Sequence, residues 1–194
     1  MPEALQRDFF QGDFLEVARQ LIGTTLSWDG CGGTVIETEA YGIDDDPACH
    51  TSFRPSSRRF FDEHPAGTCY VYLNYGVYWL LNVLVKGGPG PDGIILLRAL
   101  EPTIGLPVMR SRRGHRSDRE LCSGPGKLGV ALGLSGRDHG SSCVCTADRR
   151  FLACGPAAPR VATDLRVGIS RGTELPWRFL AAGHPGVSVP QGKA

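Results

Sequence analysis

Gly67-Thr-Cys-Tyr-Val-Tyr-Leu-Asn-Tyr-Gly-Val-Tyr-Trp-Leu-Leu-Asn-Val-Leu-Val-Lys86 holds four of the chain's five tyrosines, Tyr70, Tyr72, Tyr75 and Tyr78. Its Val, Tyr and Leu residues read as two strands, and Asn74-Tyr75-Gly76 reads as the turn between them. Asn and Gly suit such a turn because they tolerate positive φ. Tyr75 is different, because an aromatic ring at a turn tip gains nothing from the turn itself. A ring there suggests a wedge that enters another molecule; the alternative is a tyrosine-rich core hairpin. Period-2 alternation places Tyr70 and Tyr72 on one face, and Val71 and Leu73 on the other.

Working outward toward the N-terminus, Gly33-Thr-Val-Ile-Glu-Thr-Glu-Ala-Tyr41 alternates in the same way. It predicts Val35, Glu37, Glu39 and Tyr41 on one face, and Ile36, Thr38 and Ala40 on the other. Thr24 to Trp28 is a shorter strand, joined to it by an Asp29-Gly30 turn. Residues 8–22 contain a helix with Asp13 as N-cap; Leu15, Ala18 and Ile22 fall near helical spacing, and Gly23 closes it. Residues 42–66 read as a long loop carrying Asp44-Asp45-Asp46, His50, Arg54, Arg58 and Arg59. Loops of that length are usually functional or disordered.

Toward the C-terminus, Gly93-Ile-Ile-Leu-Leu-Arg-Ala-Leu100 is a third strong strand. Its one charge, Arg98, requires a carboxylate partner if it is buried. A helix is expected over about 101–111. Met109 to Arg119 is basic, with Arg110, Arg112, Arg113, Arg116 and Arg119, and reads equally as a solvated loop or a phosphate contact. Leu121-Cys-Ser-Gly-Pro-Gly-Lys-Leu128 opens a helix running to about Leu132, with Ser123 as N-cap and Pro125 in its first turn. Amides there, beside Lys127, form a candidate anion site without P-loop spacing. Residues 133–149 read as loop. Short strands are expected near Arg150–Ala153, Leu165–Ile169 and Arg178–Leu180, and a frayed tail from about 185.

The 194 residues make one domain, 1–194, with enough chain for a real core. Net charge is +1, so any basic surface must be local. All but three cations (Lys86, Lys127 and Lys193) are arginines, which favour planar anions such as phosphate and carboxylate. The seven cysteines follow no disulfide pattern. With no signal peptide and no transmembrane-length apolar run, they read as reduced thiols of a cytoplasmic protein. His139, Cys143, Cys145 and Cys154 fit no standard zinc spacing, and no metal is expected.

Glu37 and Glu39, two apart on one strand face, are the candidate acid–base pair. A carbohydrate glycosidase would need its carboxylates on opposite sides of the scissile bond. One carboxylate activating water, with Arg98 orienting it, is more economical; generic surface pairing is the bland alternative. Cys49-His50 as a thiol nucleophile is discounted, since adjacent residues rarely face each other.

Several separated motifs occur in order: Val35-Ile-Glu-Thr-Glu-Ala-Tyr41; Ala48-Cys-His50; Tyr70-Val-Tyr72 with Tyr75-Gly76 and Asn82; Leu97-Arg-Ala-Leu-Glu-Pro102; Leu121-Cys-Ser-Gly-Pro-Gly-Lys-Leu128; and Arg166-Val-Gly168. Together they resemble the alkyladenine (3-methylpurine) DNA glycosylase family over nearly the whole chain. The resemblance implies a single-domain α+β fold: a curved antiparallel sheet with peripheral helices and a protruding, tyrosine-tipped hairpin. It implies a monomer that binds damaged duplex DNA, without cofactor, metal, membrane or obligatory protein partner. Tyr75 would fill the gap left by an extruded nucleotide. The base would lie between Tyr41 and His50 on one side and Tyr72 on the other, with Asn82 as a gate against guanine. Glu39 would activate water, helped by Arg98 and the backbone carbonyl of Val167. With Glu39 as the base, Glu37→Gln is expected to keep most activity. Lys127, Arg110, Arg112 and Arg113 are the candidate DNA contacts.

The sequence also departs from the family. Val77 is small beside the wedge, and Phe53, Phe60 and Phe61 give loop 53–66 its own arrangement. Two other readings stand: a carbohydrate glycosidase using Glu37 and Glu39, and a damaged-DNA binder without turnover.

Overall fold

The computed structural model describes residues 3–114, 116–145, 149–155 and 159–194. The chain begins with a 3₁₀ turn, Arg7–Gln11, followed by α1 (Phe14–Gln20). The Asp13 carboxylate caps α1, accepting from the Leu15 and Glu16 amides. β1 (Thr25–Trp28) and β2 (Cys31–Gly42) form a hairpin. Its turn residues, Asp29 and Gly30, have φ of 48° and 84°, the positive pair that an Asp-Gly hairpin turn requires.

The expected loop 42–66 is partly helical. A 3₁₀ turn spans His50–Ser52, and α2 runs Pro55–Glu63 with Pro55 at its first turn. β3 (Cys69–Asn74) and β4 (Tyr78–Val85) follow, joined across Asn74-Tyr75-Gly76. β5 (Gly93–Ile104) extends further than the sequence suggested. Leu106, not a residue near 101, therefore opens α3 (Leu106–Arg113). α4 (Asp118–Leu121) and α5 (Pro125–Leu132) come next. The N-cap of α5 is Gly124, with φ of 144°, rather than Ser123. The stretch 133–149 contains a 3₁₀ turn, Gly136–Asp138, and the short β6 (Val144–Cys145). β7 (Arg150–Ala153) and β9 (Arg178–Ala181) fall where the pattern put them. The strand expected at 165–169 is instead β8 (Val161–Asp164), and 165–169 is loop.

All pairings among these strands are antiparallel, in the order β3-β4-β5-β2-β1-β7-β6, with β9 joining β2 to β8. The fold is therefore α+β, one curled antiparallel sheet with helices at its periphery. β2 is its centre. One side pairs with β5 from Gly32 to Gly42. The other side pairs with β1 up to Thr34, then with β9 from Glu37 to Glu39. The changeover coincides with a bulge: Val35 faces Leu100 and Glu37 faces Ala99, leaving Ile36 unpaired. A bulge breaks strict alternation and increases twist. Glu37, Glu39 and Tyr41 keep their common side, whereas Val35, expected beside them, lies before the break. The two glutamates thus sit where the sheet divides.

The main core joins α1, α5 and the inner faces of β1, β2, β4 and β5. A smaller cluster of Ile43, Cys49, Phe61, Tyr70, Leu84 and Ile94 packs with Tyr41, Phe60 and Tyr72. α5 lies directly against β4, and Gly129 permits this: a Cβ there would meet the Trp79 carbonyl oxygen at 2.1 Å. The tail does not fray at 185. Ser188, Val189 and Gly192 all hydrogen-bond to the body of the protein.

Candidate active site

β2 carries Glu37, Glu39 and Tyr41 toward Arg98 on β5. Both glutamates are fully buried, so they are not a generic surface pair. Each nitrogen of the Arg98 guanidinium has its own partner. Nε donates to Glu37 Oε1 (3.0 Å), Nη1 to Glu39 Oε2 (3.1 Å) and Nη2 to Ser188 Oγ (3.0 Å). Burial disfavours the charge on Arg98, but Glu39 and Glu37 outweigh it and raise its pKa.

The two carboxylates differ in occupancy. A carboxylate offers about four lone-pair sites. Glu37 accepts from Arg98 Nε, Arg178 Nε (2.8 Å), Ser188 Oγ (2.7 Å) and the Ser188 amide (2.6 Å). Glu39 accepts from Arg98 Nη1, the Val167 amide (2.6 Å) and the Tyr41 hydroxyl (2.7 Å). Glu37 Oε1 takes three of its four donors and Oε2 one; Glu39 Oε2 takes two of its three and Oε1 one.

Tyr41, Arg98 and Val167 line an open cleft of about 790 Å³ together with His50, Tyr72, Tyr75 and Asn82. Glu39 lies immediately behind its three partners. Asn82 is buried, its amide nitrogen donating to the carbonyls of Tyr70 (2.9 Å) and Leu80 (3.4 Å). Burial, with Arg54 nearby, pushes the His50 pKa down to about 4. Burial also raises Tyr41 well above its usual value, helped by Glu39, and pushes Tyr72 up to about 12. The aromatic walls are therefore neutral at pH 7.

The sequence profile of the methylpurine-DNA glycosylase family matches residues 8–185. A protein of Rhodopseudomonas palustris (strain BisB18) named "Putative 3-methyladenine DNA glycosylase" is 43% identical over 186 residues, covering 96% of this chain and 91% of its own length. One of the same name from Nitrosospira multiformis is 41% identical over 182 residues, covering 93% and 92%. This chain belongs to the methylpurine-DNA glycosylase family.

In this methylpurine-DNA glycosylase family member His50 and Tyr72, expected on opposite sides of the base, lie against each other. The His50 and Tyr72 ring centroids are 4.4 Å apart at 65°. A base stacked between two rings needs about 7 Å, twice a carbon–carbon contact distance. His50 is held, since its Nδ1 bonds to the Tyr70 hydroxyl (2.9 Å), which also bonds to Ser57 (2.8 Å). The Tyr72 hydroxyl has no hydrogen bond among the described residues, and its ring packs against His50 and Tyr70.

Tyr75 is 88% exposed. The cations singled out in the sequence are mostly engaged within the fold. Arg110 grips Asp118 with two 2.8 Å bonds, Arg112 donates to the Ala131 carbonyl (3.0 Å), and Arg113 donates to the Leu121 carbonyl (3.2 Å). Lys127 is exposed and bonds to Ser123 Oγ. Arg54, named in the sequence only as part of the long loop 42–66, and Arg171, which the sequence did not single out, are exposed and line the cleft. Also missed was the buried pair Arg166–Asp46. Arg166 bonds to the Ala40 and Gly172 carbonyls and stacks 4.8 Å from the Tyr41 ring. It anchors the loop that delivers the Val167 amide, and only its place in the Arg-Val-Gly motif hinted at this. Among the described residues, no group of His, Cys, Asp and Glu could hold a metal ion. His139 accepts from the Val71 amide, and Cys143 donates to the Gly67 carbonyl; the Cys145 side chain lies outside the described residues. No helix among the described residues is long and apolar enough to cross a membrane.

Proposed function

We propose that this protein excises alkylated or deaminated purines from duplex DNA by hydrolysing the N-glycosidic bond with one water. The glycosidic bond is concealed in a duplex, so the nucleotide must be extruded, at a cost of a few kcal/mol. Tyr75, exposed on its turn, fills the gap left in the stack. The base enters the cleft between Tyr41 and the wall formed by the His50–Tyr72 pair. Stacking on an aromatic contributes about 1–3 kcal/mol per base. Electron-rich neutral rings favour a cationic N-alkylpurine, and His50 adds no opposing charge. Asn82, fixed by its bonds to two backbone carbonyls, excludes the amino group of normal guanine.

The water oxygen attacks C1′ of the deoxyribose. Its proton passes to Glu39, and the bonding pair of the glycosidic bond leaves with the base, giving an abasic site. An N-alkylated base departs without much acid assistance, so a single carboxylate suffices. The observation that carries this reading is the place of Glu39 among its partners. Its three donors, Tyr41, Arg98 and Val167, all line the cleft, whereas Glu37 is held chiefly by Arg178 and Ser188, which do not. This also disfavours a two-carboxylate sugar hydrolase.

Single-turnover release of base from methylated duplex tests it. Glu39→Gln is expected to abolish release while lesion-DNA binding persists. Full activity in that variant would overturn the assignment.

A further inference from the structure

The C-terminal segment enters the charged cluster behind the cleft. We infer that Ser188 is a positioning residue for Arg98, and that residues 187–192 form a strap that holds the Arg98–Glu39 pair in register. This rests on the proposed glycosylase reading. The Ser188 hydroxyl accepts from Arg98 Nη2 (3.0 Å) and donates to Glu37 Oε1 (2.7 Å). Its amide donates to Glu37 Oε2 (2.6 Å). One residue thus occupies the third arm of the guanidinium and both oxygens of the neighbouring carboxylate.

The strap is fastened on either side of this contact. Arg178, fully buried on β9, donates to the Val189 carbonyl, to Glu37 and to Asp164. Asp164 in turn accepts from the Gly192 amide at 2.7 Å. These bonds lie past residue 185, where the match to the family profile ends. Nothing in that match assigns them a role.

The consequence follows from planarity. A guanidinium is a rigid fork, and its orientation is fixed by the partners of its separate nitrogens. With only Glu37 on Nε and Glu39 on Nη1, the fork can still pivot about its Nε contact against a single bond at Nη1. The Ser188 hydroxyl removes that freedom. Its loss lets Nη1 drift from Glu39 Oε2, and the carboxylate loses orientation toward the water. Substrate binding depends on the cleft walls and is left alone.

The test uses the full chain and a methylated duplex oligonucleotide, measuring single-turnover release, lesion-DNA Kd and thermal melting. Ser188→Ala is expected to slow release on the order of tenfold, the scale of one hydrogen bond to a charged group, with Kd unchanged. Ser188→Thr, which keeps the hydroxyl, is expected to restore the rate. An unchanged rate in Ser188→Ala overturns the inference. So does a loss of rate matched by equal losses of binding and melting temperature and not rescued by Thr, because the tail would then be a general brace. Failure of the wild-type protein to release any base would instead overturn the glycosylase reading.

Discussion

At the scale of single residues, the two glutamates divide labour through what surrounds them. Glu37, expected to be dispensable for activity, is the anion that two buried arginines share. Glu37→Gln presents an amide donor to a ring of donors and leaves cationic charge uncompensated. Breaking such a buried pair costs about 3–5 kcal/mol. We expect Glu37→Gln to lower the denaturation midpoint sharply, whereas Glu39→Gln, which removes bonds from fewer donors, lowers it less. Equal stability of Glu37→Gln and wild type in urea would count against the network. His50 makes a pH prediction. Burial, with Arg54, lowers its pKa from 6.5 to about 4. Between those values the unfolded chain carries a proton on this side chain that the folded chain refuses. Its contribution to stability is therefore full above pH 6.5 and falls as pH drops toward about 4, where the loss levels off. His50→Gln removes that contribution, so its unfolding free energy declines less steeply over the same window. An NMR titration of the His50 ring, with a midpoint near 4 expected, checks the premise.

At the scale of elements, the β3–β4 turn carries a cost that only a function outside the fold explains. Tyr75 has φ of 49° and Gly76 of 70°, with the Val77 amide bonded to the Asn74 carbonyl. The left-handed region penalises a bulky side chain, and Tyr75 is exposed, so packing gives nothing back. Tyr75→Asn places a residue suited to that conformation before Gly76. We expect it to raise melting temperature slightly while weakening nucleotide extrusion by about 1–3 kcal/mol, one aromatic stack. A reporter base in the duplex measures the second effect; a melted protein with normal extrusion would make Tyr75 a core residue. The same element shows what was legible. Turn chemistry marked both hairpins and the Asp13 cap, because those signals are local. α2 was not visible: only Ser57 and Phe61 of its nine residues are buried, too few for a helical period. The bulge at Ile36 and the Glu37–Ser188 contact, which spans 151 positions, leave no local trace. Periodicity therefore found the Glu37–Glu39 pair and Arg98, but could not tell that Glu37 is held by Arg178 and Ser188 away from the cleft.

At the scale of the whole molecule, a net charge of +1 hides a strong partition of arginines. Arg98, Arg166 and Arg178 are buried against Glu37, Glu39, Asp46 and Asp164. Arg150 and Arg110 are paired with Asp29, Asp138 and Asp118. An arginine already gripping a carboxylate has less to gain from phosphate. The basic segment that stands out in sequence therefore braces α3 against α4 and α5. We propose as phosphate contacts the exposed cations Arg54, at the entry to α2, and Arg171, after the Val167 loop, which line the cleft, and Lys127 in the first turn of α5. Each phosphate neutralised contributes about 0.9 to the slope of log K against log salt concentration. We expect Arg54→Ala, Arg171→Ala and Lys127→Ala each to reduce that slope by about 1 on duplex DNA, with or without a lesion. Arg110→Ala, Arg112→Ala and Arg113→Ala should leave the slope unchanged and lower stability instead. Binding titrations across a salt series decide it. A slope that falls in the second group and holds in the first would return the DNA interface to the basic segment, and would mean that Arg110 releases Asp118 when DNA arrives.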